Sequence, residues 1–190
     1  MSIIYFYADD SESEEYQENK TLHRTDGPAI ICDTDDLFYF EELEIQGPAE
    51  IWFQNGEIHR SDGPAVEEAD LHIWYQNGQL HNDHGPAKVH LYGEYRQWWV
   101  NDKLHREDGP AVEKNINSSK GPRIHREWYL EGKKISQKKY FEWYQNQNGN
   151  LDLFLKDIDT ELVEATKLFL GIEVEDDEED ESPEISLAAS

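Results

Sequence analysis

The sequence predicts a mainly β chain (α+β overall), built as a stack of tandem β-hairpins, closed by C-terminal helices and followed by an acidic tail. Three observations predict it. One short phrase recurs along residues 16–135, the clearer copies carry a tight-turn signal, and the phrase ends where helical spacing begins. A pattern that returns at fixed offsets is a structural unit before it is a chemical site. Catalytic groups are needed once, whereas a turn is needed at every turn.

The phrase runs Leu22-His23-Arg24-Thr25-Asp26-Gly27-Pro28-Ala29 and returns as Ile58-His59-Arg60-Ser61-Asp62-Gly63-Pro64-Ala65. It recurs as Leu80-His81-Asn82-Asp83-His84-Gly85-Pro86-Ala87 and as Leu104-His105-Arg106-Glu107-Asp108-Gly109-Pro110-Ala111, with a worn copy at Ile45-Gln46-Gly47-Pro48-Ala49. Seven residues before Gly63, Gly85, Gly109 and Gly27 stand Gly56, Gly78, Asp102 and Lys20. They follow Trp52-Phe53-Gln54-Asn55, Trp74-Tyr75-Gln76-Asn77, Trp98-Trp99-Val100-Asn101 and Tyr16-Gln17-Glu18-Asn19. Asn-Gly between apolar runs is a hairpin signal, because both central residues of a type I′ turn take positive φ. Asp-Gly-Pro then breaks the returning strand, since Pro cannot donate to a ladder. With Trp52, Trp74, Trp99 and Trp128 as the repeating ring, the spacing grows from 22 to 25 to 29 residues.

The N-terminal Ile3-Ile4-Tyr5-Phe6-Tyr7 reads as a strand, too short for a signal peptide or a membrane span. A degenerate last unit runs from Gly121-Pro122 to Trp128-Tyr129-Leu130-Glu131-Gly132. Ser136 then caps a helix from Gln137 to about Gln147, with Tyr140, Phe141 and Tyr144 on one stripe. A second helix is expected from Thr160 to Gly171, and residues 172–190 form an acidic, disordered tail. The expected boundaries are therefore 1–135 for the repeats, 136–171 for the helical cap and 172–190 for the tail.

The chain of 190 residues carries a formal charge of −25, and the acidity is regional. Residues 1–50 hold 14 acids against 2 bases and 151–190 hold 14 against 2, whereas 101–150 hold 7 against 10. Such a field opposes phosphate binding, so neither nucleic acid nor a membrane is expected as a direct partner. It favours a basic-surfaced protein met at steered rates. Cys32 stands alone, which excludes an internal disulfide and a cysteine-built zinc site and fits a reducing cytoplasm.

His23, His59, His81, His105 and His125 share one position in successive units, so they form a ladder rather than a cluster converging on one ion. Each His is expected to stack on a neighbouring Trp or Tyr, and each Arg to pair with the Asp before Gly-Pro. His81-Asp83-His84 is the one local departure that could hold a surface metal. No cofactor is implied, and neither a phosphate loop nor a nucleophile elbow is present. The structural set is Trp52, Trp74, Trp99, Trp128, Gly27, Gly63, Gly85, Gly109, His59 and His105. The candidate protein-binding set is Asp9, Asp10, Glu14, Glu15, Asp33, Asp35, Asp36, Glu41 and Glu42, interleaved with aromatics. Tyr92 and Trp98 join it, Trp98 as the ring beyond what the repeat requires.

The string Trp-Tyr-x-Asn-Gly-x-Leu-His-Arg-x-Asp-Gly-Pro-Ala resembles the MORN-repeat-variant family, in the wording of tailed-phage and giant-virus proteins. The resemblance implies tandem hairpin modules, some of them labelled antitoxin components, and it covers residues 16–135. Asn82 in place of Arg, Asp102 in place of Gly, the worn unit at Gly47 and the acidic C-terminus depart from it. The expected function is a non-enzymatic viral module that binds and inhibits a basic host protein, in its sharpest form a nucleic-acid-handling defence enzyme. The alternatives are a scaffold, with self-association left open, and a hydrolase using His and Asp.

Overall fold

The computed structural model of the chain describes residues 2–18, 20–33, 37–40, 43–90, 92, 95–118 and 121–148. The expected second helix and tail, and the candidates Asp35, Asp36, Glu41 and Glu42, lie outside these residues. The chain opens with β1 (Ser2–Phe6), β2 (Glu12–Ser13), β3 (Ile30–Asp33), β4 (Leu37–Phe40) and β5 (Leu43–Gln46). It continues through β6 (Ala49–Ile51), β7 (Phe53–Gln54), β8 (Glu57–Ile58), β9 (Val66–Glu68), β10 (Leu71–Ile73), β11 (Tyr75–Gln76) and β12 (Gln79–Leu80). There follow β13 (Lys88–His90), β14 (Tyr95–Gln97), β15 (Trp99–Val100), β16 (Lys103–Leu104), β17 (Val112–Ser118), β18 (Gly121–Leu130), β19 (Lys133–Ile135) and α1 (Gln137–Asn148). Eleven strands make one antiparallel sheet, in the order β19-β18-β17-β14-β13-β10-β9-β6-β3-β1-β2. Small ribbons β7–β8, β11–β12 and β15–β16 extend from it, one per unit, and β4–β5 form another.

The repeat explains this geometry. The Trp52 N–H donates to Ala65 C=O (2.8 Å) in the sheet, and its C=O accepts from His59 N–H (3.0 Å) in the ribbon. Trp74 does the same with Ala87 and His81, and Trp98 with Ala111 and His105. Between His and Ala the returning strand must therefore leave its partner and rejoin it. The Arg-x-Asp-Gly-Pro loop spans that gap, with Pro where no ladder donor is required. At the ribbon tips Asn55-Gly56, Asn77-Gly78, Asn101-Asp102 and Glu131-Gly132 all have positive φ, as a type I′ turn demands.

Successive units dock through backbone groups as well. Gly56 N–H donates to Leu22 C=O, Gly78 to Ile58, Asp102 to Leu80 and Gly132 to Leu104. Arg24, Arg60, Asn82 and Arg106 N–H donate to the carbonyls of Phe53, Tyr75, Trp99 and Tyr129 in the next ribbon. One set of contacts is thus repeated at four steps.

The register carries a cross-strand row through Tyr5, Ile30, Ile51, Val66 and Ile73, all buried. Phe53 and Ile58 from the first Asn-Gly ribbon and Leu43 join that core. The same row continues as Lys88, Gln97, Val112 and Glu127. Ala29, Ala65, Ala87 and Ala111 are fully buried at the start of the returning strands, where a larger side chain would overpack.

Several sequence expectations are corrected. Tyr16 is not the first unit's ring. His23 N–H bonds Phe6 C=O as His59 N–H bonds Trp52 C=O, so Phe6-Tyr7 fill the position, and residues 8–21 stand where a later unit has residues 54–57. The worn copy at Gly47 is no repeat turn. Gly47 has φ +93, whereas Gly27, Gly63, Gly85 and Gly109 are not in the positive-φ region, and Ala49 pairs with Cys32 inside the sheet. Gly121-Pro122 is not a repeat turn either, because Pro122 lies in β18 opposite Asn117. The ring equivalent to Trp52 and Trp74 is Trp98, not Trp99, because Trp98 bridges sheet and ribbon as they do, and Trp128 holds the same position before Tyr129, whose carbonyl accepts from Arg106 N–H. His125 leaves the ladder, since it sits in β18 opposite Lys114.

The ladder position in the last unit belongs to Ser136, which follows Ile135 as His105 follows Leu104. Its Oγ accepts from Lys139 N–H (3.3 Å), so Ser136 caps α1 as expected and the stack ends in a helix. Residues Met1–Tyr140 form one compact unit, and Phe141–Ser190 form a second. The first turn of α1 therefore belongs to the repeat unit. There Tyr140 is fully buried and donates through its hydroxyl to Glu107 C=O (2.6 Å).

Candidate protein-binding surface

The recurring polar residues are committed within the stack. His23, His59 and His105 accept at Nδ1 from the backbone N–H groups of Asn55, Asn77 and Glu131, each at 3.0 Å. His81 accepts from Asn101 N–H at 3.3 Å. Each ring thus holds the next unit's turn. Where Nδ1 accepts, as in His23, His59 and His105, the ring proton lies on Nε2, whereas His81 Nδ1 also lies 2.9 Å from Asn101 Oδ1. In His81 the Nε2 nitrogen faces Asp83 (3.0 Å), and in His105 it faces Glu107 (3.6 Å).

The aromatic is covered by arginine rather than by the ladder histidine. Arg24 lies 4.0 Å over Phe6, Arg60 3.9 Å over Trp52 and Arg106 3.8 Å over Trp98. A planar guanidinium stacks and donates at once. The same groups reach Asp26, Asp62 and Asp108 at 2.7–2.9 Å, which is the expected Arg–Asp pair. They also donate to the carbonyls of Pro28, Pro64 and Pro110. The arginine contacts hold the Asp26 and Asp62 carboxyls below the usual range. Gly27, Gly63 and Gly109 fit beneath, where an added Cβ would meet the guanidinium at 3.1, 3.0 and 2.8 Å. Trp98 is therefore the lidded ring of its unit. Trp99 instead donates its indole N–H to Gln97 Oε1 (3.0 Å).

The candidate acids divide by whether the fold uses them. Asp9 is used. Its carboxylate accepts from the Ser11 hydroxyl and pairs with Lys20 (2.9 Å), which together pull it down to about 2. Tyr7 also fastens the inserted loop, donating through its hydroxyl to Glu15 C=O and accepting from Gln17 N–H (2.8 Å). Asp10, Glu12, Glu14, Glu15 and Glu18 are exposed on that loop, beside Tyr16, which is 47% exposed and packs its ring against Tyr5. Asp33 is exposed at the end of β3, and Tyr92 is 78% exposed.

The sequence reading missed a polar cluster in the last units. Glu127 Oε1 accepts from Lys134 and from His125 Nε2 (3.1 Å), and Oε2 accepts from the Tyr129 hydroxyl (2.9 Å). Lys134 first, then His125 and Tyr129, hold this carboxyl at about 2. The cluster borders an open cleft of about 610 Å³ with Tyr95, Gln97, Lys114 and Ile116. Polar residues at three of the four inward positions, Lys88, Gln97 and Glu127 around Val112, were the available signal. A second cleft, of about 490 Å³, lies between the Gly-Pro loops of Arg24 and Arg60 and is lined by Trp52 and His59.

Among the described residues, no group of three or more His, Cys, Asp or Glu could hold a metal ion, and His81-Asp83-His84 forms none. Among them, too, no helix is long and apolar enough to cross a membrane. No family model, curated protein or solved structure matches the chain.

Proposed function

We propose that the chain is a non-enzymatic, acidic protein-binding module that engages a basic-surfaced protein in the cytoplasm. One observation carries this reading. The first unit replaces a four-residue ribbon turn with a longer acidic loop, fastened by Tyr7, Asp9 and Lys20, and its remaining described carboxylates are exposed beside a partly exposed Tyr16. The later units show that the fold does not require such a loop. Acids with an aromatic among them suit a cationic surface, where charge steers the encounter and an aromatic anchors it. In its sharpest form the module is a viral inhibitor of a host enzyme whose basic groove handles nucleic acid.

The scaffold reading is weaker because both ends of the stack differ from its middle. The acidic loop occupies the place of the first tip, and Ser136 with α1 occupies the place of the last His, so the docking groups of an endless stack are replaced. The test is capture of partners from nuclease-treated host lysate, washed in steps of rising salt. One stoichiometric basic partner is expected, released by salt and lost with Asp10→Lys, Glu14→Lys and Glu15→Lys combined. A partner that survives both treatments would falsify the proposal.

A further inference from the structure

The sheet presents five rings at one position of the repeat: Phe6, Trp52, Trp74, Trp98 and Trp128. Three are covered by guanidinium groups, and Trp128, 9% exposed, packs at a tilt against Tyr140 with ring centroids 6.5 Å apart. Trp74, partly buried like Trp52 and Trp98, has no guanidinium over it among the described residues, and its ring packs at 69° to His72 with centroids 6.2 Å apart. The cause is Asn82, which stands where the other units have arginine. Asn82 Nδ2 still donates to Pro86 C=O (3.0 Å), as the arginines do to their own prolines, but it is too short to lie across the ring. The glycine confirms it: a Cβ on Gly85 would find Asn82 Nδ2 at 3.8 Å and no guanidinium. The loop has also lost its Arg–Asp pair, because His84 replaces the aspartate.

We infer that the face of Trp74 that Asn82 leaves without a guanidinium is a docking site for an arginine side chain of a basic partner. This rests on the reading of the chain as an acidic module and names the group it grips. The molecule supplies the template. Three sibling rings each hold a guanidinium at 3.8–4.0 Å, so this backbone and ring geometry already accepts that cation flat on the face. Charge agrees, since the loop carries no Lys or Arg of its own and Asp83 keeps a carboxylate 63% exposed in it. Arginine is preferred to lysine because its planar, weakly hydrated head can stack and donate together.

The test uses the full chain and two soluble probes of equal charge, an arginine–glycine peptide and a lysine–glycine peptide. The Trp74 indole N–H resonance is followed by NMR, assigned with Trp74→Phe. The arginine peptide is expected to shift that resonance and to bind about three- to fivefold tighter than the lysine peptide, the size that an exposed cation–π contact supports. Asn82→Arg gives the third unit its own lid, so it should abolish the shift and the preference for arginine. Gln79→Arg, exposed on β12 and equal in charge, should leave both intact. If Asn82→Arg fails to fold, Trp74→Phe still reports through peptide affinities measured by calorimetry, because a weaker ring should reduce the arginine preference. Equal behaviour of Asn82→Arg and Gln79→Arg overturns the inference. If binding survives Asn82→Arg but is lost with the three acidic-loop reversals, only the docking site falls. If neither set alters binding, the module reading falls with it.

Discussion

Across β1, β3, β6, β9 and β10 the inward row reads Tyr5, Ile30, Ile51, Val66 and Ile73, none more than 5% exposed. Across β13, β14, β17 and β18 the same row reads Lys88, Gln97, Val112 and Glu127. Register, turns and unit-to-unit bonds are the same in both halves, so the docking set does not depend on an apolar core beneath it. The first half is held by burial, which is non-directional. The second is held more by directional contacts. Arg96 and Arg126 reach Glu113 on the opposite face at 2.9 and 3.9 Å, and Lys134, His125 and Tyr129 converge on Glu127. Arg96–Glu113 and Lys134–Glu127, each with a cation about half exposed, contribute little apiece, so the second half is expected to be the less stable half of one continuous sheet.

The largest break of that contrast is expected at one position read in two units. Phe53→Ala should lose about 3–5 kcal/mol in urea denaturation, because it empties a fully buried site. Tyr129→Ala, the equivalent position over the polar row, should lose about 1–2 kcal/mol, near the value of its hydrogen bond with partial burial. Equal losses would mean that the halves are packed alike. The ladder should behave differently. His59→Ala and His105→Ala should each cost about 1 kcal/mol, since each removes the acceptor for one backbone N–H of the next turn. A large difference between them would show that docking is not common to both halves.

Smaller effects separate single units. Gly63→Ala should displace Arg60 from Trp52 and cost up to about 1 kcal/mol, in proportion to the lost cation–π contact. Gly85→Ala has no guanidinium to displace and should be neutral or stabilising by about 0.4–1 kcal/mol through the unfolded chain. Thermal melts of the pair decide it. The last prediction concerns acid. A carboxyl held low in the folded chain stabilises it above the unfolded value, and that contribution is lost as pH falls through the folded value. For Glu127 the window runs from near 4.5 down to about 2. Amides of β18 and β19 should therefore lose protection, relative to intrinsic exchange at each pH, across that window, before those of β3 and β6, whose row from Tyr5 to Ile73 holds no carboxylate. Simultaneous loosening would count against a polar-held second half.

Much of the fold was legible because turn chemistry is local. Asn-Gly imposes positive φ on two residues, and Ser136 followed by Gln137 reads as a cap, without knowledge of what packs above. The misreadings share a different cause. Gln46-Gly47-Pro48-Ala49 and Gly121-Pro122 repeat the letters of the turn but not its backbone, which depends on which strand runs alongside. Tyr16 stands at the repeat's spacing from Gly27 while Phe6 does not, because fourteen residues separate Tyr7 from Leu22. Trp98 and Trp99 are neighbours that differ only in which carbonyl and amide they meet. Of the candidate surface, the acids were visible as residues, but their division into the committed Asp9 and the unpaired Asp10, Glu12 and Glu14 was not.

The sequence by itself determined the hairpin repeat, the start of the helix, the acidic ends and the Arg–Asp pairs, because each is set by residues close together in the chain. Only the tertiary structure decided that histidine holds the next turn, that arginine covers the aromatic and that Trp74 lacks a lid. Those roles are contacts between units, made across strands rather than along them. They follow from a register that no single copy of the phrase contains.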